Sequence, residues 1–339
     1  MSQLPTSYKA AVIVKGGEPL VVKEVPLKKP GRNEVLVKVI ACGVCHTDLF
    51  IASGGFGDFF PRVTGHEIVG DVVAVGEDVT KYSNGDRVGG AWHGGHDGTC
   101  RSCSRGQFQM CENEKFNGVH FDGGFAEYVI LRAEAVSRVP KELDPAQAAP
   151  LLCAGVTTFN AIRKHHVEQG NLVAIQGLGG LGHLAVQYAS KMGYRVAAIS
   201  SGSAKRDFAF ELGAHEYIDT TVDDPVKKLQ ELGGAAMIVS TAPNPKAISP
   251  LVGGLQPRGK LIMLAPVGGV EFDTAALVMK GCSVEGWLSG NALDSEEAIQ
   301  FAQTHGVKCL VEKFPLADVG KAMEACATGK VRFRAVLMM

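Results

Sequence analysis

The segment IQGLGGLGHLAVQ constrains this chain more than any other. Gly177, Gly179 and Gly182 stand in G-x-G-x-x-G spacing, with Leu178, Gly180 and Leu181 between and around them. The motif directly follows the apolar run NLVAIQ and opens the helical pattern GHLAVQYASKMG. Glycines at these places allow a tight turn and let a pyrophosphate approach the helix N-terminus, where free N–H groups and the helix dipole favour an anion. In a strand–turn–helix context the motif predicts a dinucleotide site.

The alternation continues with RVAAIS, the helical AKRDFAFELGA ending at Gly213, AAMIVST, PKAISPLVGGL, GKLIMLAP and SVEGWLS. Strands alternating with helices predict a doubly wound parallel sheet. Residues 8–150 differ: EVLVKVIA and EIVGDVVAVG are short alternating runs broken by turns such as SNGDRV, the pattern of a β-rich unit. At 339 residues the chain exceeds what one core usually supports, so two domains are expected. After the parallel sheet, Asp294 and Glu297 read as a D-x-x-E capping box opening a helix that stops near Gly306, with strand-like runs to the C-terminus.

With 34 Lys and Arg against 35 Asp and Glu, the chain has no electrostatic footprint for nucleic acid or an anionic membrane. The N-terminus lacks a secretory pattern and no apolar run approaches the ~20 residues that span a bilayer, so an intracellular, cytoplasmic protein is expected. Nine cysteines in a reducing compartment favour metal binding or reactivity over disulfides. In GGHDGTCRSCSRGQFQMC, the residues Cys100, Cys103 and Cys111 have spacings suited to tetrahedral zinc, with Asp97 three residues ahead. ACGVCHTD, TGHEIVG and LLCAG offer a Cys2His set in Cys45, His66 and Cys153, the kind that leaves one coordination position open. Cys153 in its apolar run also reads as a small core residue, and Cys42-x-x-Cys45 as a redox pair.

In this order, C-G-V-C-H-T-D, G-H-E, the three-cysteine stretch, L-x-C-A-G and G-L-G-G-L-G resemble the zinc-dependent alcohol dehydrogenases of the medium-chain dehydrogenase/reductase superfamily. The resemblance covers nearly the whole chain and is strongest to the shorter, yeast- and bacteria-like branch. It implies an α/β protein: a GroES-like β-rich catalytic domain from 1 to 153 and 290 to 339, and a Rossmann domain over 154–289, with substrate in the cleft. It implies Cys45, His66 and Cys153 as catalytic zinc ligands and Glu67 as a carboxylate that approaches the metal during ligand exchange. It also implies that Asp48 orients the ligand histidine and that Thr47 hydrogen-bonds the alcohol. His46 corresponds to a position near the pyrophosphate, Thr157 to one beside the nicotinamide, and Trp92 to a pocket aromatic, though Trp92 also suits a core. A homodimer or homotetramer acting on a small alcohol, aldehyde or ketone is implied. A zinc-free quinone or enoyl reductase would lack the Cys/His/Cys set, and a nucleotide-sensing protein would need neither that set nor Thr47.

Four places qualify the resemblance. The acid that usually accepts from the adenosine ribose is replaced by Ser200 and Ser201, with Lys205 and Arg206 behind, which favours NADP over NAD. Phe50 stands where a histidine usually ends the proton relay, so a slower or rerouted exit is expected. Gly290-Asn291-Ala292 lacks the arginine that reaches the pyrophosphate. Asp97 occupies the place of a first cysteine, which predicts a Cys3Asp structural site and two zinc ions per chain, with His96 as a competing ligand and loss of the site as the other reading.

Overall fold

The computed structural model describes residues 4–339 and divides into two compact units, Met1–Val156 with Ser289–Gln303 and Lys308–Met339, and Thr157–Leu288 with Thr304–Val307. No described helix is long and apolar enough to cross a membrane.

The first unit is built on antiparallel sheets. The strand Glu34–Gly43 lies between Ile68–Val75 and Arg334–Met338, and its first half also pairs with Tyr128–Arg132. Arg87–Gly90 and Val136–Arg138 extend one side and Val311–Pro315 the other, the last running parallel to Arg334–Met338. A second sheet orders Val21–Pro26, Ser7–Ile13 and Arg62–Val63. Alternate side chains of these strands point inward, so Val35, Val37, Val39, Ile68, Val72, Leu131 and Leu337 form a buried core. Between the two C-terminal strands lies a helix, Val319–Ala327, absent from the sequence reading; its Val319, Ala322, Met323 and Cys326 recur at helical spacing and are buried in that same core.

The second unit is a six-stranded sheet in the order Glu216–Asp219, Arg195–Ser200, Leu172–Gln176, Ala235–Ser240, Leu255–Met263, Ser283–Gly286, parallel throughout. Burial on both faces explains the near-continuous apolar runs. The order reverses between Leu172–Gln176 and Ala235–Ser240, and ligands of such sheets bind beyond the carboxyl ends at that switch point.

The capping expectation at Asp294 and Glu297 is corrected. The helix runs Ala292–His305, and the reciprocal bonds join Asn291 and Asp294: Asp294 N–H donates to Asn291 Oδ1 at 3.1 Å, and Asn291 N–H to Asp294 Oδ2 at 3.1 Å. Asn291 is the N-cap and Asp294 the third helical residue, so the box is N-x-x-D, three residues upstream. The helix called over AKRDFAFELGA also opens differently, as a 3₁₀ turn Ser203–Lys205 followed by a short helix Arg206–Glu211. PKAISPLVGGL is a short helix, Pro245–Ile248, followed by the 3₁₀ turn Ser249–Gly254.

Candidate active site and structural loop

Cys45 follows the strand Glu34–Gly43 and caps the helix His46–Ala52; His66 and Glu67 immediately precede the strand Ile68–Val75; Cys153 ends the 3₁₀ turn Ala149–Leu152. Although 108 residues separate Cys45 from Cys153, their sulfurs lie 3.9 Å apart. One donor atom each from Cys45, His66, Glu67 and Cys153 lies within 4.8 Å of all the others. Tetrahedral ligation with Zn–S of ~2.3 Å puts two sulfurs about 3.8 Å apart, so the donor set fits zinc in both chemistry and spacing.

Asp48, fully buried, explains the arrangement. Its Oδ2 accepts from the Cys45 N–H at 2.9 Å, and its Oδ1 from the Thr64 hydroxyl at 2.6 Å and the Gly65 N–H at 3.0 Å. His66 Nδ1 faces Oδ1 at 3.4 Å, close enough for electrostatic attraction but too poorly aligned for a hydrogen bond. That contact engages Nδ1 and leaves Nε2 as the nitrogen available to a metal. A bond from the Cys153 thiol holds the Cys45 thiol well below its ordinary range, although burial opposes it, and the Cys153 thiol is correspondingly raised. Burial opposes protonation of His66, but the Asp48 carboxylate and Cys45 outweigh it, to about 10. Zinc binding requires these protons to leave, which couples metal affinity to pH.

Glu67, also fully buried, pairs through Oε1 with Arg334, while Glu67 Oε2 and Arg334 Nε have no hydrogen-bond partner. Room for the carboxylate comes from Gly43: a β-carbon there would stand 2.8 Å from Glu67 Cδ and closer still to Oε2. Sequence reasoning missed Arg334, Thr64 and Gly43. Arg334 had one readable signal, a cation directly bordering the apolar run AVLMM.

Thr47 is partly buried, its Oγ1 3.6 Å from Cys45 Sγ. His46 is exposed, with Nδ1 3.7 Å from Cys326 Sγ. Phe50 is exposed and meets Phe56 edge-on. Trp92 is 8% exposed: it meets His66 edge-to-face at 5.1 Å and stacks on Phe116 at 4.5 Å. It serves as core and as a wall beside His66 together.

In the three-cysteine loop, Asp97, Cys100, Cys103 and Cys111 bring one donor atom each within 4.8 Å of the rest. The Cys100 and Cys111 sulfurs are 3.9 Å apart and Cys103 Sγ is 3.6 Å from Asp97 Oδ1, as tetrahedral zinc with one oxygen ligand requires. Asp97 is held in register by Asn113 Nδ2 at 2.7 Å and by the N–H groups of Thr99 and Cys100, which keep its carboxyl well below the usual range. His96 lies outside this group; its Nδ1 meets Nε2 of buried His93 at 3.1 Å, and its ring stacks on Phe108. Buried His93 meets Glu114 at 2.7 Å through Nδ1, tying together the two ends of the loop.

In the second unit, Gly177 has φ +95, and a β-carbon there would stand 2.7 Å from Ala242 Cβ; one on Gly182 would stand 2.8 Å from the Gly177 carbonyl carbon. Only glycine allows this approach of helix Gly182–Lys191 to the turn. Leu178 is buried, Gly179, Gly180 and Leu181 are partly exposed, and His183 returns an Nδ1 bond to the Gly179 carbonyl at 3.0 Å. Ser200 is nearly buried and Ser201 exposed; Lys205 Nζ donates to the Leu178 carbonyl at 3.1 Å, and exposed Arg206 lies over Phe210. Thr157 is buried on the helix Ala154–Lys164. Asn291 is committed to its helix cap.

Residues 31–141 match the alcohol dehydrogenase GroES-like domain family, and residues 180–304 the zinc-binding dehydrogenase family. The chain is 56% identical over 338 residues to the alcohol dehydrogenase patD of Penicillium expansum, covering 100% of this chain and 99% of that one. An alcohol dehydrogenase of Geobacillus stearothermophilus is 38% identical over 98% of this chain and 99% of its own. The solved cinnamyl alcohol dehydrogenase of Sorghum bicolor superposes with a TM-score of 0.88 at 32% identity, covering 98% of this chain and 97% of that one. The chain therefore belongs to the alcohol dehydrogenases of the medium-chain dehydrogenase/reductase superfamily, combining a GroES-like part with a Rossmann-like parallel sheet. Its substrates are accordingly small alcohols or carbonyl compounds.

Proposed function

We propose that the chain is a zinc-dependent alcohol dehydrogenase or aldehyde reductase that moves a hydride between an alcohol or carbonyl carbon and NADP(H). The observation carrying this reading is the convergence of Cys45, His66 and Cys153, with the paired sulfurs 3.9 Å apart and a carboxylate beside them. Zn2+ held there supplies Lewis acidity that makes an alcohol hydroxyl acidic near neutral pH. Asp48 fixes the His66 ring, Glu67 keeps one carboxylate oxygen free beside the donors, and Thr47 Oγ1 would accept a hydrogen bond from the alcohol hydroxyl and relay its proton by passing its own hydroxyl proton on to the cofactor ribose. Phe50 carries no proton, so the outward route differs from one ending in an imidazole. Trp92, Phe116 and Phe56 support a bulky or aromatic substrate.

Ser200, Ser201, Lys205 and Arg206 support NADP: with no carboxylate at the end of strand Arg195–Ser200, hydroxyl and cationic donors can hold a 2′-phosphate. Asp97, Cys100, Cys103 and Cys111 hold a second, structural zinc. The boundaries 1–153 with 290–339 and 154–289, a cytoplasmic location and a homodimer or homotetramer complete the reading.

The test is oxidation of an alcohol panel with NADP and NAD, before and after chelation and zinc restoration, with metal analysis. Turnover with NADP that disappears on zinc removal and returns with zinc is expected. Full activity in fully metal-free protein overturns the zinc assignment, and preference for NAD overturns the cofactor assignment.

A further inference from the structure

The turn following strand Arg195–Ser200 is held by the neighbouring strand Glu216–Asp219. The two run parallel, with Ala198 opposite Tyr217 and Ser200 opposite Asp219. Tyr217 and Asp219, two apart on one strand, share a face. The Tyr217 hydroxyl donates to the Gly202 carbonyl at 2.5 Å, and the Gly202 N–H donates to Asp219 Oδ1 at 2.8 Å. Both backbone polar groups of Gly202 are thus taken by one strand. Gly202 has φ 77 and ψ 159, a region essentially closed to residues with a β-carbon, so it is the pivot of the turn. Thr221 completes the anchor, its N–H and hydroxyl donating to the same Asp219 oxygen at 2.9 and 2.7 Å.

We propose that Tyr217 and Asp219 are positioning residues for cofactor selection. By fixing Gly202 they set the placement of the flanking Ser201, Lys205 and Arg206 donors for an adenosine 2′-phosphate. This inference rests on the NADP reading. Asp219 acts in two opposed ways: its acceptor oxygen organises the turn, while its negative charge repels a phosphate dianion. The two are separable, because asparagine keeps the acceptor and removes the charge.

The experiment is calorimetric titration of the full chain with 2′,5′-ADP and with 5′-ADP, comparing the ratio of affinities in wild type, Tyr217→Phe, Asp219→Ala and Asp219→Asn. Wild type is expected to prefer 2′,5′-ADP. Tyr217→Phe and Asp219→Ala each lower that preference about tenfold, the scale of one lost hydrogen bond, whereas Asp219→Asn keeps or raises it. Tyr217→Phe and Asp219→Asn change few atoms, so the comparison survives if Asp219→Ala does not fold. A wild-type preference that Tyr217→Phe leaves unchanged overturns the positioning role. A loss in Asp219→Asn overturns the two-way role of Asp219. A wild type binding 5′-ADP at least as tightly overturns the NADP reading itself.

Discussion

Replacing Gly43 with alanine should damage the candidate active site by displacing the Glu67 carboxylate, with all four donor residues left in the sequence. The new β-carbon would stand 2.8 Å from Glu67 Cδ and 3.0 Å from Glu67 Cβ. Ordinary carbon–carbon contact is ~3.5 Å, and Oε2 stands closer to the new β-carbon than Cδ does, so the carboxyl group must retreat by more than about 0.7 Å. Glu67 and Arg334 are 0% and 4% exposed, so neither can swing into water to make room. Overpacking costs about 1–3 kcal/mol, and breaking a buried ion pair about 3–5 kcal/mol. A partial break places Gly43→Ala near 3 kcal/mol. In a unit of roughly 200 residues that lowers the melting temperature by about 6–12 °C. A double-mutant cycle with Glu67→Ala isolates the cause: with the carboxylate gone only the 3.0 Å contact with the β-carbon of residue 67 remains, and the cost of Gly43→Ala should fall to about 1 kcal/mol. An equal cost in both backgrounds would refute the argument and place the strain in the strand backbone.

Three further outcomes follow from individual contacts. Burial pushes His183 down to about 4; the folded chain therefore stays unprotonated there while the unfolded chain takes up a proton near 6.5. Stability falls as pH drops from 6.5 towards 4, by up to about 3 kcal/mol. His183→Asn should flatten the fall in melting temperature over that window, and an unchanged slope contradicts it. Thr64→Val removes the 2.6 Å donor to Asp48 at similar shape; zinc release to a chelator should accelerate about tenfold, and Thr64→Ser should restore it, with equal rates in all three refuting the role. Asp97→Ala should lower metal content from two zinc ions to one per chain while His96→Ala retains two; the reverse pattern makes His96 the ligand.

The parallel sheet was legible because its strands are buried on both faces and read as the uninterrupted runs LVAIQ, RVAAIS and AAMIVS between helical patterns. The helix start near residue 292 is displaced because N-x-x-D and D-x-x-E share Asp294 and offer the same capping pattern three residues apart. Cys45, His66 and Cys153 were visible as residue types, and the structure brings their donor atoms together. The resemblance also named Asp48 and Glu67 beside them, but not what holds Glu67 in place. Gly43, Glu67 and Arg334 meet only because the last strand pairs beside Glu34–Gly43, with Val336 opposite Gly43. No local pattern encodes a contact 267 residues long.

The two buried carboxylates of the site differ in a way that bears on their work. Asp48 has both oxygens engaged by fixed donors from Cys45, Thr64 and Gly65, so it cannot move and is suited to hold an orientation. Glu67 has one oxygen engaged and the other, Oε2, without a partner; His66 Nδ1 is likewise left without a well-aligned acceptor. A buried polar atom in that condition costs about 1–3 kcal/mol. Folding alone would favour a second donor to Oε2 at such a place, yet the chain leaves that one oxygen bare beside two cysteines and a histidine. Local instability gathered at converging ligand atoms is the mark of a site shaped for a bound group rather than for packing. Glu67→Gln keeps an oxygen toward Arg334 but leaves that buried guanidinium without its counter-charge, so it should destabilise the unit by about 3 kcal/mol while also weakening its hold on zinc.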